Sequence, residues 1–185
     1  MFILGSTRDG RNGAKVYDWV KSLAKNRKDF DAEFVDLKDW NLPYLTDANS
    51  PSQGKYADKK TQEWSKKVAS AEGFLVVTPE YNHGYPAVLK NHLDVLYAEW
   101  NNKPIGFVSY GGSAAGARSV EQLRLVSIEL QMAPIRESLG IPIFTQSFDD
   151  KGKLPEYYEK KLTGQLDQLV WWANALKSAR MTRNN

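Results

Sequence analysis

The chain of 185 residues contains no cysteine. Disulfides, thiolate nucleophiles and cysteine metal sites are excluded together, and the composition fits a cytoplasmic protein. Histidine is almost missing: His83 and His92 are the whole supply, too few for a histidine-rich zinc centre. No apolar run reaches the length of a transmembrane helix, so no membrane partner is expected. The N-terminal MFILGSTR has no basic region ahead of a long apolar one and does not read as a signal peptide. Lysine and arginine never gather into a long block and the net charge is only +3, which argues against nucleic acid as a partner.

What the chain does have is alternation. Short apolar runs predict strands at Phe2–Leu4, Phe30–Leu37, Phe74–Thr78 and Ile105–Ser109, with extended segments at Ala133–Glu137 and Ile141–Phe144. Helical spacing of apolar residues predicts helices over Ala14–Lys25, Asp58–Ala71, Pro86–Trp100, Ser119–Met132 and Pro155–Ala179, with a frayed tail from Arg180 to Asn185. Residues 38–56 read as loop. Strands alternating with helices imply parallel strands joined by right-handed crossovers. The expected fold is one α/β domain over residues 1–185: a doubly wound, five-stranded parallel sheet with helices on both faces. Only four residues precede Gly5, a very short first strand that leaves open a start upstream of Met1.

Ligands of such sheets bind beyond the carboxyl ends of the strands. Three unusual loops follow three strands and are expected to share that edge. The first, GSTRDGRNG (Gly5–Gly13), combines glycines, hydroxyls and two arginines ahead of a helix N-terminus, a cradle for phosphate. Arg11-Asn12 stands where a triphosphate-binding Walker loop needs lysine and a hydroxyl, and G-x-G-x-x-G is absent, so a monophosphate fits better. A solvated turn is the plainer alternative. The second, PEYNHGYP (Pro79–Pro86), suits a flat ring with polar edges: backbone N–H groups of Glu80 to Gly84 for its carbonyls, and Asn82 to donate and accept. Gly84 gives close approach or a positive φ. Tyr81, His83 and Tyr85 either wall the ring or pack on the surface. The third, YGGSAAGA (Tyr110–Ala117), is small enough to admit a ring or a nicotinamide. Arg118 beyond it either meets a 2′-phosphate of NADPH or is a plain helix-surface arginine. Glu121 and Arg124 are spaced for a surface pair, as are Lys90 and Asp94. Leu89 and Leu93 read as core, while Tyr97 and Trp100 extend a stripe that could meet a partner subunit. Of Trp171 and Trp172, one is expected to pack inward and the other to face solvent.

GSTRDGRNG, PEYNHGYPAVLKNHLD and SYGGSAAGARSVEQLR resemble, in order and spacing, the three signature segments of the NADPH-dependent FMN reductase family, a flavodoxin-like group with small NAD(P)H:quinone and azo-type reductases. The resemblance runs from Phe2 to Phe144. It implies non-covalent FMN, with Ser6, Arg8, Arg11 and Gly13 around the phosphate. It places Pro79, Glu80, Tyr81, Asn82 and Gly84 along the isoalloxazine, and Gly111, Gly112 and Ser113 on its other side. It implies NADPH or NADH as hydride donor and assembly into homodimers or homotetramers. Ala115 departs from the pattern, standing where many members carry glycine. Chemistry carried by a cofactor needs no protein nucleophile, so the catalytic set is expected to be empty of side chains. The expected activity is ping-pong transfer of a hydride from NAD(P)H through FMN to a small acceptor: a quinone, free flavin, an azo compound or a metal oxyanion. The alternatives are a flavodoxin-like electron carrier, disfavoured by the mildly basic charge, and a non-redox nucleotide-binding module.

Overall fold

The computed structural model describes residues 1–142, 147–149 and 152–183. Five parallel strands stand in the order β2-β1-β3-β4-β5: β1 Phe2–Leu4, β2 Phe34–Asp36, β3 Phe74–Pro79, β4 Pro104–Gly111 and β5 Ala133–Pro142. The helices are α1 Gly13–Ala24, α2 Lys59–Ser70, α3 Ala87–Asp94, α4 Ala117–Glu129 and α5 Glu156–Arg183. The chain steps from β1 outward to β2, then returns to β3 on the other side of β1. That reversal is the switch point, and it puts the ends of β1 and β3 side by side.

Strand alternation sorts the core into two layers. Along β3, Phe74 and Val76 join Ile3, Ile105 and Phe107 under α2, α3 and α4, through Trp64, Val68, Leu89, Leu93, Val120 and Leu123. Leu75 and Val77 face the other way, with Leu4, Val108 and Tyr110, against Val16 and Val20 of α1 and Leu162, Leu166 and Leu169 of α5. All six residues of β3 are buried, as a central parallel strand requires. No helix among the described residues is long and apolar enough to cross a membrane.

Several expectations are corrected. β2 is three residues long, because Phe30 and Ala32 pack against the core without entering the ladder. The helix expected to reach Trp100 stops at Asp94, and Ala98–Trp100 forms a separate 3₁₀ turn. Trp100 is buried among Trp64 and Phe74 rather than offered to a partner. The two extended segments expected after α4 are one strand, Ala133–Pro142; residues 143 and 144 lie outside the described residues. The tail continues α5 to Arg183, where Arg180 pairs with Glu72; residues 184 and 185 lie outside the described residues. Trp171 and Trp172 are 65% and 36% exposed, so neither is the inward anchor, which is the Leu162–Leu166–Leu169 stripe. Leu89 and Leu93 are core, and Lys90 pairs with Asp94, as the spacing predicts.

Candidate active site

Loops 5–12, 80–86 and 112–116 leave β1, β3 and β4, three neighbours in the sheet, on its carboxyl edge. In the first, a Cβ added to Gly5 would come within 3.1 Å of the Leu89 side chain and 3.2 Å of the Val77 carbonyl, so the chain leaves β1 flush against β3 and α3. Ser6 is fully buried and its Oγ lies 2.7 Å from Tyr81 Oη, joining the first loop to the second. Arg11 forks onto the Asp36 carboxylate and also donates to the Ser6 carbonyl, bracing the loop against the end of β2. Arg8 is exposed, 5.9 Å from the Tyr81 ring centroid, with no carboxylate partner among the described residues. Helix α1 starts without a side-chain cap at Asn12 and without an acidic residue in its first turn. Its positive end is therefore open to an anion.

The second loop is a tight hairpin. Tyr81 N–H donates to the Gly84 carbonyl at 2.8 Å and Gly84 N–H to the Tyr81 carbonyl at 3.0 Å. Asn82 and His83 hold φ of 50° and 67°, the pair of left-handed residues of a type I′ turn. This corrects two expectations. The N–H groups of Glu80, Tyr81 and Gly84 do not face a ligand: Glu80 N–H donates to the Tyr110 carbonyl at 3.2 Å and the other two close the hairpin. Gly84 has no positive φ, and a Cβ there would meet Gln122 Oε1 at 3.3 Å, so this glycine makes room for α4.

A type I′ turn favours glycine at its second central position, and His83 stands there instead. Helix α4 holds it. Arg118 Nη1 lies 2.7 Å from His83 Nε2, and Gln122 donates to the His83 carbonyl at 2.7 Å. A guanidinium only donates, so the network assigns the imidazole its proton on Nδ1. Arg118 Nε also sits 2.6 Å from Glu80 Oε1, while Arg118 N–H donates to Glu80 Oε2 at 3.2 Å. Gly116, before α4, offers no cap of its own, so Glu80 serves the helix N-terminus from across the sheet edge. Arg118 is thus not a plain surface residue: it fixes the ring-loop turn through Glu80 and His83, with its side chain 42% exposed. Arg124 does not pair with Glu121 but donates to the carbonyls of Ile135 and Arg136.

In the third loop, Gly116 has φ +83° and a Cβ there would fall 2.6 Å from Ser109 Cβ, so only glycine fits. Pro79 is buried, its carbonyl accepting from Ser119 Oγ at 2.8 Å, and a Cβ on Gly111 would sit 3.6 Å from Glu80 Cβ. Pro79, Glu80 and Gly111 therefore form a backing. In front of it stand Tyr81, Asn82, Gly112 and Ser113, all exposed, with open space where a Gly112 side chain would be.

Sequence reasoning missed Tyr110. A Cβ on Gly13 would lie 2.2 Å from the Tyr110 hydroxyl, which therefore reaches the first turn of α1. Tyr110 is 5% exposed and its Oη makes no hydrogen bond among the described residues. Burial above all, then the neighbouring Tyr81, raises its pKa, so the phenol remains a donor. A buried donor at an uncapped helix end, beside Ser6 and Arg8, fits the phosphate of a mononucleotide cofactor. A concavity of about 500 Å³ also exists, lined by Met1, Phe30, Glu72 and Leu166, but it opens at the opposite edge of the sheet.

Sheet order and switch point together define a flavodoxin-like fold. The structure superposes on the NAD(P)H:acceptor oxidoreductase FerB of Paracoccus denitrificans with a TM-score of 0.75, over 94% of this chain and 96% of that one, at 22% identity. The chain belongs to the NADPH-dependent FMN reductase family, whose model matches residues 1–146. It is 42% identical over 146 residues to an NAD(P)H-dependent FMN reductase of Schizosaccharomyces pombe, covering 77% of this chain and 72% of that protein. A Saccharomyces cerevisiae protein of the same description is 38% identical over 155 residues, covering 77% and 81%. Family membership makes the chain an oxidoreductase that uses FMN and NAD(P)H.

Proposed function

We propose that the protein reduces small acceptors at the expense of NAD(P)H, donor and acceptor occupying one open face in turn. FMN, when bound, supplies the hydride chemistry. The chain supplies position. Ser6, Arg8 and the α1 N-terminus receive the phosphate, while the Arg11–Asp36 pair holds the loop to β2. Tyr81 and Asn82 present the edge and wall for the ring, and Gly112 and Ser113 leave space above it. The observation that carries this reading is the convergence of three loops from adjacent strands, pinned to one another by Ser6–Tyr81 and by Glu80–Arg118.

An acceptor that only has to stack on an exposed ring is chosen by flatness and size. Quinones fit that description best, with free flavin, azo compounds and metal oxyanions following. The relatives include a probable NADPH:quinone oxidoreductase of Oryza sativa and an FMN-dependent NADPH-azoreductase of Staphylococcus saprophyticus, which supports the same range. A cytoplasmic location and assembly as a homodimer or homotetramer belong to the same reading; the cysteine-free composition supports the first, and exposed Trp171, Leu125 and Ile128 the second.

The test is the absorbance spectrum of purified protein mixed with FMN and desalted, followed by anaerobic NADPH and then a quinone. Retained yellow that bleaches and returns is expected. Yellow that neither NADPH nor NADH bleaches would instead indicate an electron carrier.

A further inference from the structure

Tyr110 is a residue for which the fold alone has no use as a tyrosine. Its ring packs with Val108 and Leu4 under α1, a place that phenylalanine would fill equally well. The hydroxyl, fully covered and without a hydrogen bond among the described residues, is a cost to the fold unless something meets it. Gly13 points to what that is. Its φ is not left-handed, so the turn does not demand glycine; the helix start accepts one because any Cβ would strike the hydroxyl. The chain thus gives up helix propensity at α1 to let a phenol reach the helix N-terminus. Ser6 Oγ, the neighbouring hydroxyl, stands close to Tyr110 but has its own hydrogen-bond partner in Tyr81 Oη at 2.7 Å. Arg8 and Arg11 add positive charge to the same spot.

We propose that the Tyr110 hydroxyl is a phosphate-reading donor, a buried contact that makes this site select a 5′-phosphorylated flavin over the same flavin without its phosphate. The inference rests on the FMN reading above and adds a residue and a selectivity to it. Tyrosine suits the task because the donor is neutral. It favours the anion without adding a third cation that would have to be desolvated along with the arginines.

The experiment compares Tyr110→Phe with the unmodified protein by fluorescence titration of FMN and of riboflavin. FMN affinity should fall about tenfold or more, as for loss of a hydrogen bond to a charged group, while riboflavin affinity stays within about twofold. Equal losses for both flavins, or no loss for either, would overturn the proposal. FMN binding by the unmodified protein tests the cofactor reading separately. Inorganic phosphate is the second probe: it should raise the melting temperature of the unmodified apoprotein more than that of Tyr110→Phe, and equal shifts would count against Tyr110 even if no flavin bound. Should Tyr110→Phe fail to fold, Gly13→Ala, which displaces the hydroxyl while keeping it, should show the same selective loss.

Discussion

Ala115 holds φ +50°, a left-handed conformation that costs a residue with a Cβ about 1–2 kcal/mol. Its carbonyl accepts from Ser109 Oγ at 2.8 Å, which keeps the third loop in this shape despite the cost. Ala115→Gly should therefore stabilise the chain by about 0.5–1 kcal/mol, once the greater freedom of glycine in the unfolded state is subtracted. Urea unfolding would show it, and a lower midpoint would mean that the methyl group packs usefully. Lys103 carries a second residue-scale cost. It is 6% exposed, with Nζ donating at 2.9 Å to the carbonyls of Val68 and Ala69. Burial chiefly, with Arg180 behind it, lowers its pKa to about 8. The unfolded value is near ~10.4, so between the two the unfolded chain binds more protons than the native one. Stability from this group consequently rises with pH across that window and is flat below it. The stability difference between the unmodified protein and Lys103→Met should shift toward the former from pH ~8 to pH ~10. A difference independent of pH would show that Lys103 keeps an ordinary pKa.

Elements with a strong period were legible, and those completed by a distant partner were not. The apolar run of β3 and the spacing of Val16 and Val20 in α1 announce themselves. So do the three loops, whose glycines and prolines interrupt the pattern at strand ends. Tyr110 could have been placed on the α1 face by strand alternation with Val108, but nothing local says that its hydroxyl meets Gly13. The Arg118–His83 contact joins residues 35 apart and depends on where α4 begins. β5 reads as two pieces because Ser138 and Gly140 interrupt the apolar run, yet both pair in register with β4, and the one irregularity of that ladder lies earlier, between Ile105 and Phe107. Gln165, buried on α5, fills that irregularity: its Nε2 donates to the Phe107 carbonyl at 2.8 Å and reaches the Glu137 carbonyl at 3.3 Å. A glutamine among Leu162, Leu166 and Leu169 looks like a flaw in the apolar stripe until the bulge is seen. Gln165→Leu, conservative by pattern, should destabilise by about 1–3 kcal/mol because it strands two carbonyls in the core. Calorimetry showing no loss would mean that water replaces the amide.

At the scale of the whole molecule, the sheet has two edges of different chemistry. The amino edge holds the concavity near Met1, Phe30 and Glu72; the carboxyl edge holds the three loops. Chemistry favours the second for a phosphorylated ligand. At the amino-edge rim the cations are already engaged, Arg27 with Asp29, Lys67 with Glu33, and Lys177 and Arg180 with Glu72, whereas the exposed Arg8 and an uncapped helix stand at the other. A ligand that spans loops from β1, β3 and β4 also ties both core layers, since Ser6 and Tyr110 lie toward α1 and Gln122 and Arg118 belong to α4. Binding there should stabilise the native chain as a unit. FMN at about 100 times its Kd should add about 2.7 kcal/mol, raising the melting temperature by roughly 5–10 °C for a chain of this size. Hydrogen exchange with and without FMN would locate the effect. New protection should appear at 5–13, 79–86 and 111–116 and be absent at 29–33 and 70–73. Protection confined to the amino edge would move the cofactor to the concavity there and remove the phosphate roles of Ser6, Arg8 and Tyr110 together.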